Sequence, residues 1–393
     1  DLQVIGVGPH TVSFTAPGLP HTTAGPITVT DGMVATIDVS VSQANVVGNV
    51  VQSATAVARD VNGVELSVPI TWSVTAPQVA RITQAGQIQA LGQGLTQVTA
   101  TSGSVTGAAT LTVGSTPGNF TIDLRYLTTP SSSVSAAFVS AKARWESIIR
   151  GDLPGVPPQN LEVGFCGNQP PGTTFNEAVD DVLIFVRIDS IDGPGKVLGA
   201  AGPCWIRGGT GGLPFIGQMI FDVADLPSLE SSGLLEAVIL HEMGHVLGVG
   251  TMWTNFGLLQ DPAPELAQPA CQNSDPIFVG SNARWAFPNL GTGWVGRTVP
   301  VENCFGGGTR NGHWREAVLQ RELMTGFLST GSNPLSPLTI LSLLDLGYVV
   351  DNSQADGAPW FEPAGTERRI ELRELALPPP RVLGIPGNPP QGR

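Results

Sequence analysis

The chain has 393 residues, long for one compact domain, and 41% of them are hydrophobic, enough to build real cores and to argue against global disorder. A formal net charge of −13 and an isoelectric point near 4.7, with Lys142 and Lys196 the only lysines and no basic cluster, exclude nucleic acid and anionic membrane surfaces as partners. No apolar run reaches the roughly 18 residues of a spanning helix, so membrane insertion is not expected. The cysteines Cys166, Cys204, Cys271 and Cys304 form no C-x-x-C pair, which disfavours a thiolate zinc site. Scattered and even in number, they fit two disulfides and an oxidising compartment. Three connectivities are open, the local pairing Cys166–Cys204 with Cys271–Cys304 being preferred. With neither initiator Met nor signal peptide at Asp1, the sequence reads as a processed product or a fragment of a longer protein.

Residues 1–28 carry a Pro- and Gly-rich strand pattern and read as the end of a preceding β module. Residues 29–114 read as all-β, with alternating runs such as Thr36-Ile37-Asp38-Val39-Ser40-Val41 and Thr96-Gln97-Val98-Thr99-Ala100-Thr101. Turn signals at Asn62-Gly63 and Ala85-Gly86 separate the runs at sandwich-like spacing. The succession Ile70-Thr71-Trp72-Ser73-Val74, Val79-Ala80-Arg81-Ile82, Gly86-Gln87-Ile88 and Gly94 to Ala100 resembles the group 2 bacterial Ig-like domain. That resemblance implies a sandwich with Trp72 between two sheets.

Ser115 to Asn119 is a breaker segment and is read as a linker over residues 115–119. Beyond it, residues 120–350 mix strands and helices as one α+β domain. Strands are predicted for Phe120 to Tyr126, Val182 to Ile188 and Ile216 to Val223. Helices are predicted for Ser131 to Ile149 and for about Ser232 to Val249. The tail, residues 351–393, is Pro-rich; its charged piece from Arg368 to Glu374 fits a strand or a helix, and no structure is assigned to the rest.

The second helix carries His241-Glu242-Met243-Gly244-His245. Residues four apart share a helix face, so His241 and His245 can present two imidazoles to one ion. Glu242 is rotated off that line and suits a general base acting on a water at the metal. Gly248 and Gly250 end the helix. The run H-E-x-x-H-x-x-G is similar to that of the metzincin metallopeptidases, but the position of their compact third ligand is Thr251 here, which is not a plausible zinc ligand. Downstream lie Gly312-His313-Trp314-Arg315-Glu316 and Arg321-Glu322-Leu323-Met324-Thr325.

This arrangement resembles the leishmanolysin-type metzincins, in which an insertion separates the glycine from the third histidine. The likeness runs from about Phe120 to Val350. It includes Ala141, Arg144, Trp145, Glu146, Ile148 and Ile149, and the closing Leu344-Asp345-Leu346-Gly347-Tyr348. It implies His241, His245 and His313 as ligands of one catalytic Zn2+, Glu242 as general base and Met324 as the Met-turn residue.

Asp189, Asp192 and the glycines of Asp192-Gly193-Pro194-Gly195 are similar to a loop that other metzincins use near Ca2+, although turn formation accounts for the same residues. Asp222, in Gly217 to Asp222 ahead of the helix, reads as a turn or hydrogen-bonding residue. The expected protein is thus multidomain: an all-β Ig-like sandwich followed by an α+β metzincin-type zinc peptidase domain.

The expected activity is that of a secreted or cell-surface zinc metalloendopeptidase, of bacterial type, acting on a protein or peptide substrate, with the Ig-like region contacting cell surface or matrix. The competing reading is a non-enzymatic surface adhesin or binding module with a vestigial or structural zinc site. Glu242 separates the two, because structural zinc has no need of a carboxylate there. No cysteine precedes Cys166, so a thiol–zinc latency switch within residues 1–165 is excluded.

Overall fold

The computed structural model describes residues 33–114, 118–208, 212–264, 274–291, 298–358, 360 and 369–384 in full, and within 1–32 only the backbone of four short strands. The chain divides into two units, Asp1–Ser115 and Thr116–Arg393. In the segment read as a preceding β module, Gly8–His10 pairs antiparallel with Ile27–Val29, and Ser13–Phe14 with Thr22–Thr23; the remainder of that segment lies outside the described residues.

The rest of the first unit is two sheets. One has the order Ala80–Ile82, Gln87–Ala90, Val51–Arg59, Thr36–Val41, with Glu65–Leu66 paired to Val51–Arg59; the other runs Asn45–Val47, Val105–Gly114, Gly94–Ser102, Thr71–Val74. Alternation sets their shared core, because every second residue faces inward. Ile37, Ala58, Trp72, Ile88, Val98, Ala100 and Leu111 meet there. Both predicted turns need a left-handed residue and have one, with φ of 79° at Gly63 and 77° at Gly86.

The second unit is built on a mixed sheet ordered Ile122–Tyr126, Val182–Asp189, Pro214–Asp222, Gly199–Ile206, Arg381–Val382. The first three strands are parallel; Gly199–Ile206 runs antiparallel to Pro214–Asp222, and Arg381–Val382 is added parallel to it. Helix α1 (Ser132–Ile148) starts where the Ser131 side chain accepts from the Val134 N–H. It buries Phe138, Ala141, Trp145 and Ile148 at the i, i+3/i+4 spacing of one face.

The helix predicted from about Ser232 to Val249 forms over Leu235–Val246, and a short helix that the sequence reading did not assign precedes it. Helix α2 (Leu226–Ser232) stops at Gly233, whose φ is 72°, and α3 (Leu235–Val246) starts afresh. A left-handed glycine ends a helix by breaking its dihedral run. Helices α4 (Ser281–Ala286), α5 (Glu316–Leu319) and α6 (Pro337–Leu346) follow.

The domain extends past Val350, where the sequence reading ends it. Asp351 N–H bonds back to Ile148, Arg144 holds the Gln354 carbonyl and Asp356, and the strand Arg369–Glu371 pairs with Phe327–Ser329. Cys166 and Cys204 are disulfide-linked, as the local pairing requires. Cys304 is disulfide-bonded as well, and Cys271 lies outside the described residues. Among the described residues no helix is long and apolar enough to cross a membrane.

Candidate metal centre

Helix α3 is buried on nearly every side, so its histidines cannot face solvent. His241 and His245 stand one turn apart on it, and the Nε2 atoms lie 3.0 Å apart. The His313 Nε2 closes the triangle at 3.1 Å from each. A tetrahedral ion with Zn–N distances near 2.05 Å spaces its nitrogens about 3.3 Å apart, so the triangle has the size the ion requires.

Each ring is turned by a backbone carbonyl. His241 Nδ1 donates to Leu323 O at 2.6 Å, His245 Nδ1 to Val249 O at 2.9 Å and His313 Nδ1 to Thr309 O at 2.9 Å. A carbonyl only accepts, so the proton of each neutral ring sits on Nδ1 and the Nε2 lone pair points into the centre. Burial also pushes His245 down to about 3, which keeps its ring neutral.

Glycines let distant elements reach this helix. A Cβ on Gly244 would stand 2.9 Å from Met324 Sδ and 3.1 Å from the Trp145 ring, and one on Gly250 would stand 1.9 Å from the Gly312 carbonyl oxygen. Gly244 therefore admits the methionine beneath the histidines, and Gly250 (φ 75°) admits the loop that carries His313.

Trp145 is fixed by its Nε1–H to Leu240 O at 3.0 Å. Tyr348 O–H bonds to Leu247 O at 2.9 Å, and Thr251 Oγ1 to His245 O at 2.6 Å. Thr251 thus satisfies a carbonyl at the helix end.

The segment Glu322-Leu323-Met324 does three things. The buried Glu322 carboxylate accepts from Met324 N–H (2.6 Å), Ser336 Oγ (2.7 Å) and Thr339 Oγ1, which locks the turn. Leu323 offers the carbonyl that orients His241, and Met324 fills the space at Gly244.

Glu242 is buried and neither carboxylate oxygen has a hydrogen-bond partner among the described residues. Burial, with a contribution from the nearby Glu374 charge, pushes its carboxyl well above the usual range. An orphaned buried carboxylate is costly unless something polar, such as a water at an ion, stands before it.

One residue at the centre escaped sequence reasoning. Glu374, from the tail, places Oε1 3.2 Å from the Nε2 atoms of both His241 and His313, and Oε2 3.5 Å from that of His245. Motif spacing held no signal for it, since an acid in a charged, Pro-flanked stretch reads as solvated surface. With the rings neutral, three imidazole lone pairs and a carboxylate are all acceptors, and a cation among them stabilises such a convergence. This donor set, hard oxygen with imidazole nitrogen, suits zinc.

The two weaker candidates are used locally. Asp189 accepts from Arg187 and from Ser190 N–H, and Asp192 from Val197 N–H. Asp222 accepts from the N–H groups of Asp192, Gly193 and Ala224. These are turn-forming bonds, and nothing in them calls for Ca2+.

A buried three-histidine centre on a helix–loop–turn frame defines a metallohydrolase class. The leishmanolysin family profile (peptidase family M8) matches residues 159–368, just over half of the chain. The chain therefore belongs to the leishmanolysin family of zinc metallopeptidases, whose substrates are proteins or peptides.

No curated protein matches the chain. Among solved structures, domains 1–6 of surface layer protein SbsC match with 19% identity and a TM-score of 0.20 over 29% of this chain and 21% of that one. SbsC domains 4 and 5 match with 17% identity and a TM-score of 0.21, over 27% of this chain and 65% of that one. The chain thus spans about a fifth of the length of the first.

Proposed function

We propose that this protein is a secreted zinc endopeptidase in which His241, His245 and His313 hold the ion and Glu242 is the general base. The observation that carries this is the convergence of three carbonyl-oriented Nε2 atoms beside a buried carboxylate with no partner. A zinc ion supplies Lewis acidity there, polarising a peptide carbonyl and acidifying water. Substrate lies extended on the Gly199–Ile206 strand, whose outer edge borders the centre. Glu242 takes a proton from the attacking water and passes it to the amine nitrogen as the C–N bond breaks. Met324 supports the histidines from below without touching the chemistry.

The first unit, read as a bacterial Ig-like module, serves as a spacer or targeting element outside the cell, and the Cys166–Cys204 disulfide fits that compartment. A purely structural or vestigial zinc site leaves the buried Glu242 without a purpose, which disfavours the adhesin reading.

The test measures bound zinc and cleavage of casein and a peptide library for four proteins: wild type, Glu374→Ala, and Glu242→Gln in each background. Glu374→Ala is included because that carboxylate faces the ring nitrogens. Zinc should remain at one per chain throughout, and Glu242→Gln should lower kcat by about 10²–10⁴-fold. Zinc-loaded Glu374→Ala protein that cleaves nothing, or Glu242→Gln that keeps full activity, would overturn the proposal.

A further inference from the structure

Four features place the tail in the cleft. The first is the position of Glu374: its side chain is only 6% exposed and contacts all three ring nitrogens. The second is backbone pairing. Leu198 N–H donates to Arg373 O at 2.9 Å, Leu375 N–H to Gly199 O at 3.2 Å, and Leu383 N–H to Ile206 O at 3.0 Å. Residues 373–375 and 381–383 thus pair with the two ends of the outer edge of the Gly199–Ile206 strand, the edge that an extended peptide would need.

The third is a set of anchors on either side of Glu374. Arg369 pairs with the largely buried Glu316, while Arg381 pairs with Glu162 at 2.7 Å and lies 4.0 Å over the Phe165 ring. The fourth is room made for the tail's backbone. A Cβ on Gly308 would stand 2.1 Å from Glu374 O, and one on Gly208 would stand 2.4 Å from Leu383 O. The same tail lines a cavity of about 190 Å³ together with His245, Thr251 and Thr254.

We infer that Glu374 is a fourth ligand to the metal and that residues 369–384 are an internal occupant of the substrate cleft, which makes the chain in this conformation a latent peptidase. This rests on the three-histidine metal site proposed above. A carboxylate ligand fills the position that substrate and water need, since a catalytic zinc works only with one position open. Tail pairing at both ends of the edge strand keeps a peptide from pairing along its full length. Activation therefore requires release of this strand, either by a competing ligand or by cutting the chain between residue 360 and Glu374.

The test uses the full chain loaded with Co2+, whose visible absorption reports its ligands, and titrates it with acetohydroxamate. Wild type, Glu374→Ala, Gly208→Ala and the control Glu65→Gln, an exposed residue of the first unit, are compared. Glu374→Ala should shift the cobalt spectrum and bind acetohydroxamate at least about tenfold more tightly, and casein cleavage by its zinc form should rise at least as much.

Gly208→Ala keeps the carboxylate but presses on the tail at Leu383, and should move every readout the same way by a smaller factor. Glu65→Gln should match wild type. Spectra and hydroxamate affinities equal in wild type, Glu374→Ala and Gly208→Ala would overturn the inference while leaving the metal site intact. Cobalt that binds wild type and His313→Ala alike would instead overturn the metal site beneath it. Should Glu374→Ala fail to fold, Gly208→Ala alone decides.

Discussion

Gly250→Ala tests whether the third histidine depends on one missing methyl group. Two effects separate cleanly. Gly250 has a φ of 75°, and a left-handed alanine costs about 1–2 kcal/mol of stability. The added Cβ would also stand 1.9 Å from Gly312 O, against about 3.3 Å for a normal C–H···O contact. The loop before His313 must therefore retreat by about 1.4 Å, whereas metal–ligand distances tolerate about 0.2 Å.

Gly257→Ala is the control, because its φ is 65° and nothing lies within 4 Å of the built Cβ. Both variants should lose the backbone term in thermal unfolding. Only Gly250→Ala should lose zinc affinity, by about 100-fold or more in competition with a chromophoric chelator, as His313→Ala does. Gly250→Ala binding zinc within threefold of wild type, while His313→Ala does not, would refute the packing argument.

Other consequences can be measured on the same protein. Burial raises the Glu316 carboxyl from 4.5 to about 7, with Arg369 opposing in part. A folded-state value above the unfolded one gives stability that is full below about pH 4.5 and lost as pH rises through 7, about 3 kcal/mol in all. Urea unfolding of the zinc-saturated protein at pH 5 and pH 8 should show that loss in wild type and not in Glu316→Gln; equal losses would count against it. Removing the Cys166–Cys204 bridge, which closes a loop of 38 positions, should cost about 4 kcal/mol. A shift in urea stability below about 1 kcal/mol would mean that the unfolded chain is not constrained there.

Elements whose pattern repeats locally were legible in the sequence. The apolar face of Phe138, Ala141, Trp145 and Ile148 gave α1 within a residue at each end, and the apolar run from Val182 gave a strand buried along most of its length. The helix around His241 was legible in type and to within about three residues at each end. The short helix α2 ahead of it was not, and the left-handed Gly233 separates the two. His241, His245 and His313 came together as the resemblance implied. Glu374 did not come from the sequence, because its position depends on strand pairing with Gly199, which leaves no period or spacing within the tail itself.

The glycines explain why spacing finds some of this centre and misses the rest. Within helix α3 the spacing of His241 and His245 is set by 1.5 Å per residue, and only their ring orientation draws on carbonyls beyond the helix. His313 and Met324 come from loops, and no local rule fixes where a loop comes to rest. What fixes them is close approach: Gly250 against Gly312, and Gly244 against Met324 and Trp145. A side chain at either glycine leaves the helix unchanged and moves the loop. The histidine triangle is therefore specified as much by absent side chains on α3 and just beyond its end as by the histidines themselves. Gly308 against the Glu374 carbonyl repeats the device on the opposite wall, so the tail is accommodated by the same means as the third histidine. A strand that merely lay over the cleft would need no such recess.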